Sequence, residues 1–256
     1  MSKKIIYKTP EQINNIREAG KYLTELLHLS RDMAQPWVTW KDLEQHAQTF
    51  LDRNNVTWAF KWYGGFPANL CVSINDCVVH GIPDTTPFKD GDLIKVDLWV
   101  TYKSCIADAA ISFIVGWADK NKKWQWLIDA TKWSLDAWLE MIESWVSMFG
   151  YGKAVHAYIQ SKNYAIIKNL TWHGVGVEVH EWPPIYNRPN GELQRYSFEP
   201  GMVIALEPIT AIKSTTYTEK PWNSWNLYTK KGDLWAQWEY TLAITDNGYE
   251  ILAWVI

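Results

Sequence analysis

Two aspartates, Asp97 and Asp108, stand in the stretch KVDLWVTYKSCIADAA from Lys95 to Ala110, amid apolar neighbours. Ile94, Val96, Leu98 and Val100 alternate before a polar break. Ile106, Ile111, Phe113 and Val115 follow it, a pattern that predicts a β-hairpin. A chain reversal between Tyr102 and Lys103 would set Asp97 directly across from Asp108, with Cβ atoms roughly 4.5–5.5 Å apart on one face. Two ionised carboxylates that close repel, and one takes up a proton unless a cation lies between them. The chemistry on offer is metal ligation. Taken alone, the pair also fits a turn cap beside a solvated carboxylate, because charged side chains are mostly exposed.

Three further ionisable residues lie in apolar, strand-like stretches: His173 at the start of HGVG, Glu207 in ALEPIT and Glu239 in AQWEYT. A buried charge requires a partner. Singly, each fits a satisfied core residue or an exposed strand position. With Asp97 and Asp108 they make five potential ligands, four carboxylates and one imidazole.

The elements that must position these groups are readable in outline. Thr9 and Pro10 form an N-cap and first-turn proline for an amphipathic helix to about Ala34, and a second helix covers KDLEQHAQTFLDRNN. A turn-rich and then strand-like segment ends just past His80-Gly81, and the hairpin follows. Helical periodicity returns from Lys122 to Met148 and again over AVHAYIQSKNYAI. Strand-like segments around Thr171–Pro184, FEPGMVIALEPITAI and WAQWEYTLAITDNGYEIL close the chain, with a polar loop between the last two. No repeat, low-complexity tract or linker appears, so residues 1–256 read as one compact domain of α/β or α+β class.

Composition narrows the partners. A net charge of −3 over 256 residues carries no basic footprint for nucleic acid, and no stretch approaches the roughly 18 consecutive apolar residues of a membrane span. Cys71, Cys77 and Cys105 lack zinc-type spacing and fit a reducing, cytoplasmic setting.

The ordered set SINDCVVHGIP, VDLWV with Asp108 eleven residues after its aspartate, WHGVGVEVHEWPP, GMVIALEP and AQWEYT resembles the type I methionine aminopeptidases of peptidase family M24, nearly end to end. The resemblance implies the pita-bread α+β fold, an antiparallel sheet covered by helices in pseudo-twofold halves. It also implies removal of the initiator methionine from nascent chains, as they are made, when the second residue is small. Two divalent metal ions, Co, Mn, Fe or Zn, would be held by Asp97, by Asp108 and Glu239 as bridges, and by His173 and Glu207. His80 would contact the scissile amide and His180 the substrate carbonyl. Tyr63, Phe66, Cys71 and Trp225 would line the methionine pocket. Val179 stands where bacterial relatives often carry an aromatic residue. The partners implied are peptide N-termini and a transient ribosome contact, with no nucleic-acid specificity, no membrane and a monomeric state. Two other readings stay open: an Xaa-Pro-type aminopeptidase of the same fold, and a non-catalytic pita-bread binding protein.

One count is anomalous, 18 Trp against 14 Gly. Trp37, Trp40, Trp117, Trp182, Trp222 and Trp225 occupy sites where turn chemistry favours glycine. The family resemblance places glycine at Trp37, Trp138 and Trp172. Mis-decoded UGA codons for glycine are the expected source of several of these residues; the other reading is a chain that is truly tryptophan-rich, with positions such as Trp225 genuine. Trp99, two residues beyond Asp97, shares the suspicion. The alternative, a tryptophan-rich binding surface, predicts clustered or repeated tryptophans, and these are scattered.

Overall fold

Thr9 starts the first helix by accepting from the Gln12 backbone N–H at 3.2 Å while its own N–H donates to the Gln12 side chain at 2.9 Å. With Pro10 in the first turn, this capping box satisfies donors that a helix N-terminus leaves orphaned. Thr39 and Asp42 repeat the device one helix later. The computed structural model describes residues 4–58, 60–116, 121–140, 142, 145–221 and 223–253.

The first half runs α1 (Pro10–Met33), α2 (Trp40–Asn54), β1 (Thr57–Trp58), β2 (Cys71–Ile74), β3 (Leu93–Tyr102) and β4 (Cys105–Ile114). The second half opens with α3 (Lys122–Leu139), α4 (Met148–Ser161), β5 (Ala165–Ile166), β6 (Trp172–Gly174), β7 (Glu181–Ile185), β8 (Val203–Leu206) and β9 (Ile209–Ala211). It ends with β10 (Tyr217–Lys220), β11 (Asn223–Thr229), β12 (Trp235–Gln237), β13 (Tyr240–Thr245) and β14 (Gly248–Ala253). Strands pair antiparallel throughout, in sheets ordered β1-β3-β2 with β4 on β3, β14-β13-β8-β6-β7, β12-β9-β5 and β10-β11. One hydrophobic cluster extends from Ile16 of α1 to Ala253 of β14 and joins the two halves.

The expected α+β order is present, with corrections. The hairpin reverses at Lys103 and Ser104, both at positive φ as a two-residue type I′ turn requires. The register therefore moves by two: Asp97 faces Ala110, and Asp108 faces Trp99. Lys-Ser lacks the Asn-Gly signature that would have marked this turn. Because strand side chains alternate with period two, a shift of two leaves both aspartates on the same face, as diagonal neighbours.

α2 begins at Trp40, so this residue lies in a helix and not in the preceding turn. α3 ends at Leu139, short of Met148, and α4 begins at Met148, six residues before the expected start. Gly150 and Gly152 hid that first turn, since glycine is a poor helix former. A side chain at Gly152 would meet the carbonyl oxygens of Tyr186 and Arg188, each 2.5 Å from its Cβ. The polar segment expected as a loop forms the β10–β11 hairpin, and Trp225 sits in β11. Trp182 lies in β7. Trp117 and Trp222 fall outside the described residues.

Trp37, Trp62 and Trp145 adopt φ values of 71°, 72° and 73°. The left-handed region presses Cβ against the following carbonyl and costs a non-glycine residue about 1–2 kcal/mol. All three indoles are largely exposed, so burial returns little. Replacing each by glycine is expected to stabilise the fold by about 1 kcal/mol and to raise Tm by about 2–4 °C in thermal denaturation.

Candidate metal centre

β3 and β4 each send alternate side chains to opposite faces. Ile94, Val96, Leu98 and Val100 enter the core, while Lys95, Asp97 and Trp99 share the other face with Asp108, Ala110 and Ser112. The free edge of β4 then receives the segment carrying Glu239. Gln237 N donates to Ser112 Oγ at 2.9 Å, Glu239 N to the Ala110 carbonyl at 2.9 Å, and Asp108 N to Thr241 Oγ1 at 2.9 Å. Three contacts at two-residue intervals lock the register that brings Glu239 to Asp108. β6 and β8 supply His173 and Glu207: His173 pairs with Ala205, and Glu207 directly follows β8.

Ligand-type atoms of Asp108, His173 and Glu239 lie within 4.8 Å of one another, and His173 Nε2 is 3.7 Å from Asp108 Oδ2. Asp97 and Glu207 join them through Gln237, whose amide donates to Asp97 Oδ2 at 3.2 Å and to Glu207 Oε2 at 2.8 Å. All five expected ligands therefore line one cavity of about 230 Å³, together with His80, His180 and Trp99.

Electrostatics in this cavity is dominated by confinement of like charge. Burial pushes the Asp97 carboxyl up to about 7, against a lowering hydrogen bond from Gln237. Burial raises Asp108 well above the carboxylate range, and the charges of Asp97 and Glu207 add to it. Glu207 and Glu239 are raised for the same reasons. Burial lowers His173 to about 3, so the imidazole is neutral and its nitrogen lone pair is free to bind a cation. Asp97 Oδ1 and Asp108 Oδ1 are buried without a hydrogen-bond partner. Four carboxylates, one neutral imidazole and unpartnered buried oxygens fit divalent cations, with oxygen-rich ligation suited to Mn, Fe, Co or Zn.

Tyr63, Phe66, Cys71 and Trp225, expected to line the methionine pocket, are not among the residues lining this cavity; they pack beside it, the aromatic ones in two groups. Tyr63 Oη is 2.9 Å from His180 Nδ1, and Trp99 packs edge-on against both rings, at 5.3 Å from Tyr63 and 5.4 Å from His180. Phe66 contacts Trp225 at 5.2 Å, and Trp225 contacts His80 at 6.0 Å. Cys71 faces Asp97 across β2 and β3. Burial pushes its thiol far up and neighbouring carboxylates push further, so the thiol is not set up as a nucleophile. His80 takes φ 58°, an unusual backbone for a half-buried side chain, and burial lowers it to about 4. Gly81 allows this approach, since a Cβ there would overlap the Val72 carbonyl oxygen. Val179 is buried.

Sequence reasoning did not single out Gln237, Thr241 or Trp99 as site residues. Gln237 stands two positions before Glu239, so strand alternation places it on the ligand's side. Trp99 stands two after Asp97 for the same reason, and it faces Asp108 in the β3–β4 register.

Buried carboxylates with one imidazole, held where two helix-backed antiparallel halves meet, define a metal-dependent hydrolase. Residues 14–246 match the model of metallopeptidase family M24, and the chain belongs to that family. The methionine aminopeptidase of Clostridium acetobutylicum is 36% identical over 251 residues, covering 97% of this chain and 98% of the relative. The crystal structure of the Thermotoga maritima methionine aminopeptidase superposes with a TM-score of 0.92 at 32% identity, over 98% of this chain and 100% of that one. The Pyrococcus horikoshii prolidase shares the fold alone, with a TM-score of 0.73 at 18% identity over 98% of this chain and 64% of its own. The fold is thus the pita-bread architecture.

A folded-state carboxyl raised from 3.8 to about 7 binds a proton that the unfolded chain releases, so metal-free stability falls as pH rises across that interval. Asp97 and its neighbouring carboxylates would be neutralised by a divalent cation instead of by protons. Chelator-treated protein is expected to lose Tm between about pH 4 and pH 7, and added metal to raise Tm more at the upper end; scanning calorimetry with and without metal checks both.

Proposed function

We propose that the chain removes the N-terminal methionine from peptides whose second residue is small, acting on nascent chains in the cytoplasm as a monomer in transient contact with the ribosome. The observation that carries this reading is the meeting of five ligand-type residues with His80, His180 and Trp99 around one cavity, with Tyr63 bonded to His180 and Phe66 packed on Trp225 beside it. Its family membership and its full-length relatives support it.

Asp97, Asp108, His173, Glu207 and Glu239 would hold two divalent cations, which when bound lower the pKa of water and polarise the scissile carbonyl. The protein's own groups then orient the substrate. Tyr63 engages Nδ1 of His180, leaving Nε2 for the substrate carbonyl, where a donor aimed at developing negative charge contributes about 3 kcal/mol. His80, neutral at pH 7, contacts the scissile amide. Phe66, Trp225, Tyr63 and Cys71 offer an apolar, polarisable wall suited to a flexible thioether. Among the described residues no helix is long and apolar enough to cross a membrane.

Purified protein supplied with Mn, Fe, Co or Zn is expected to release methionine from Met-Ala-Ser and to leave a peptide with a bulky second residue intact. Absence of release with every metal, or preferential cleavage of Xaa-Pro dipeptides, would count against the proposal. Asp108→Ala should lower kcat by at least about 100-fold and reduce bound metal, read by elemental analysis. Unchanged turnover would remove Asp108 from the centre.

A further inference from the structure

Among the described residues the N-terminal segment contributes no lining to the cavity, yet it is fastened to β7, the strand that follows His180, and to the turn before β8. The Lys8 backbone N–H donates to the Gly201 carbonyl at 2.8 Å, and Ile5 bridges Trp182. The Lys8 side chain turns inward and forms an ion pair with Glu181 Oε2, the two side chains being 1% and 0% exposed. Its ammonium also donates to the Ile6 carbonyl at 3.0 Å. The other Glu181 oxygen, Oε1, accepts from the backbone N–H groups of Val177 at 2.8 Å and Glu178 at 3.1 Å. Gly176, at φ 136°, clears the path: a Cβ there would lie 2.8 Å from both Lys8 Cε and Ile16 Cδ1.

One carboxylate therefore closes the 177–181 loop and is itself aimed by an ammonium from the opposite end of the chain. A buried ion pair is a poor source of stability, because desolvating two charges offsets their attraction and apolar replacements are often as stable. What such a pair does supply is direction. His180 immediately precedes Glu181, held between that anchor and Tyr63.

We propose that the Lys8–Glu181 pair is a positioning device for His180, fixing the loop so that its imidazole meets the substrate carbonyl. The inference rests on the role assigned to His180 above. Lys8→Met is expected to lower kcat about tenfold to a hundredfold while KM and metal content stay within about twofold, as a small misplacement of a reacting group does. Lys8→Met/Glu181→Gln removes both charges, keeps the Oε1 acceptor and is the variant to use where the single one fails to fold. The same loss of kcat in this neutral pair supports positioning. Its recovery to the wild-type value means that Lys8 only neutralises a buried charge, and it overturns the proposal. The imidazole ¹⁵N shifts of His180 give a readout independent of turnover: they move in both variants if the pair positions the ring and stay in place if it does not. A wild type inactive with every metal overturns the methionine-removal reading, while unmoved His180 shifts overturn this one.

A separate observation concerns the residues themselves. Of nine non-glycine residues with positive φ among those described, three are asparagines, two form the β3–β4 turn and one is His80; the other three are Trp37, Trp62 and Trp145. Asparagine tolerates this region and a bulky aromatic does not. We infer that the polypeptide made in its source cell carries glycine at positions 37, 62 and 145, through UGA codons read as glycine. The gene is expected to show UGA at all three, and peptide mass spectrometry of the protein from source cells to show glycine there. UGG codons, or tryptophan-containing peptides, at these positions overturn the inference.

Discussion

The repulsion among four buried carboxylates is the interaction on which the rest of this structure depends. Asp97, Asp108, Glu207 and Glu239 come from separate strand segments, and left to themselves they would separate or hold protons. The protein prevents separation with covalent and hydrogen-bonded frames. A tight hairpin holds the two aspartates, the edge of β4 grips the Glu239 segment, and Gln237 ties Asp97 to Glu207. With the geometry imposed, positive charge is the remaining way to neutralise the cluster, and that demand is the origin of metal chemistry here.

Around the centre, aromatic packing sets shape. Phe60 stacks on Trp99 at 3.9 Å, Trp99 meets Tyr63 and His180, and Phe66 meets Trp225. The bulk at Trp99 matters most, because this residue faces Asp108 across the β3–β4 register and its ring packs edge-on against His180.

Much of the site was legible in residue types and order. Asp97 and Asp108 stood in an alternating apolar pattern, and alternation protects a face assignment from a two-residue error in register, which is the error that occurred. His173, Glu207 and Glu239 were legible as charges inside apolar strands, where only a partner could justify them. The long-range partners of these residues were not legible. Thr241 bonding Asp108 across 133 residues, or Lys8 reaching Glu181, depends on docking that no local pattern encodes. The early start of α4 was hidden because close approach to Tyr186 and Arg188 selects glycine against helix propensity. The β10–β11 hairpin was hidden by its polar, exposed strand.

The three contacts along the edge of β4 also order events in time. The Asp97–Asp108 hairpin is a local structure that can form early, whereas Glu239 reaches Ala110 only after more than half of the chain has been placed. Pairings of such long sequence separation form slowly, because loop closure must precede the contacts that reward it. A partly folded chain therefore presents two acidic groups on an open hairpin, too few donors to retain a cation firmly. Cation capture falls at the end of folding, so a chain that holds its metal is one whose two halves have already closed.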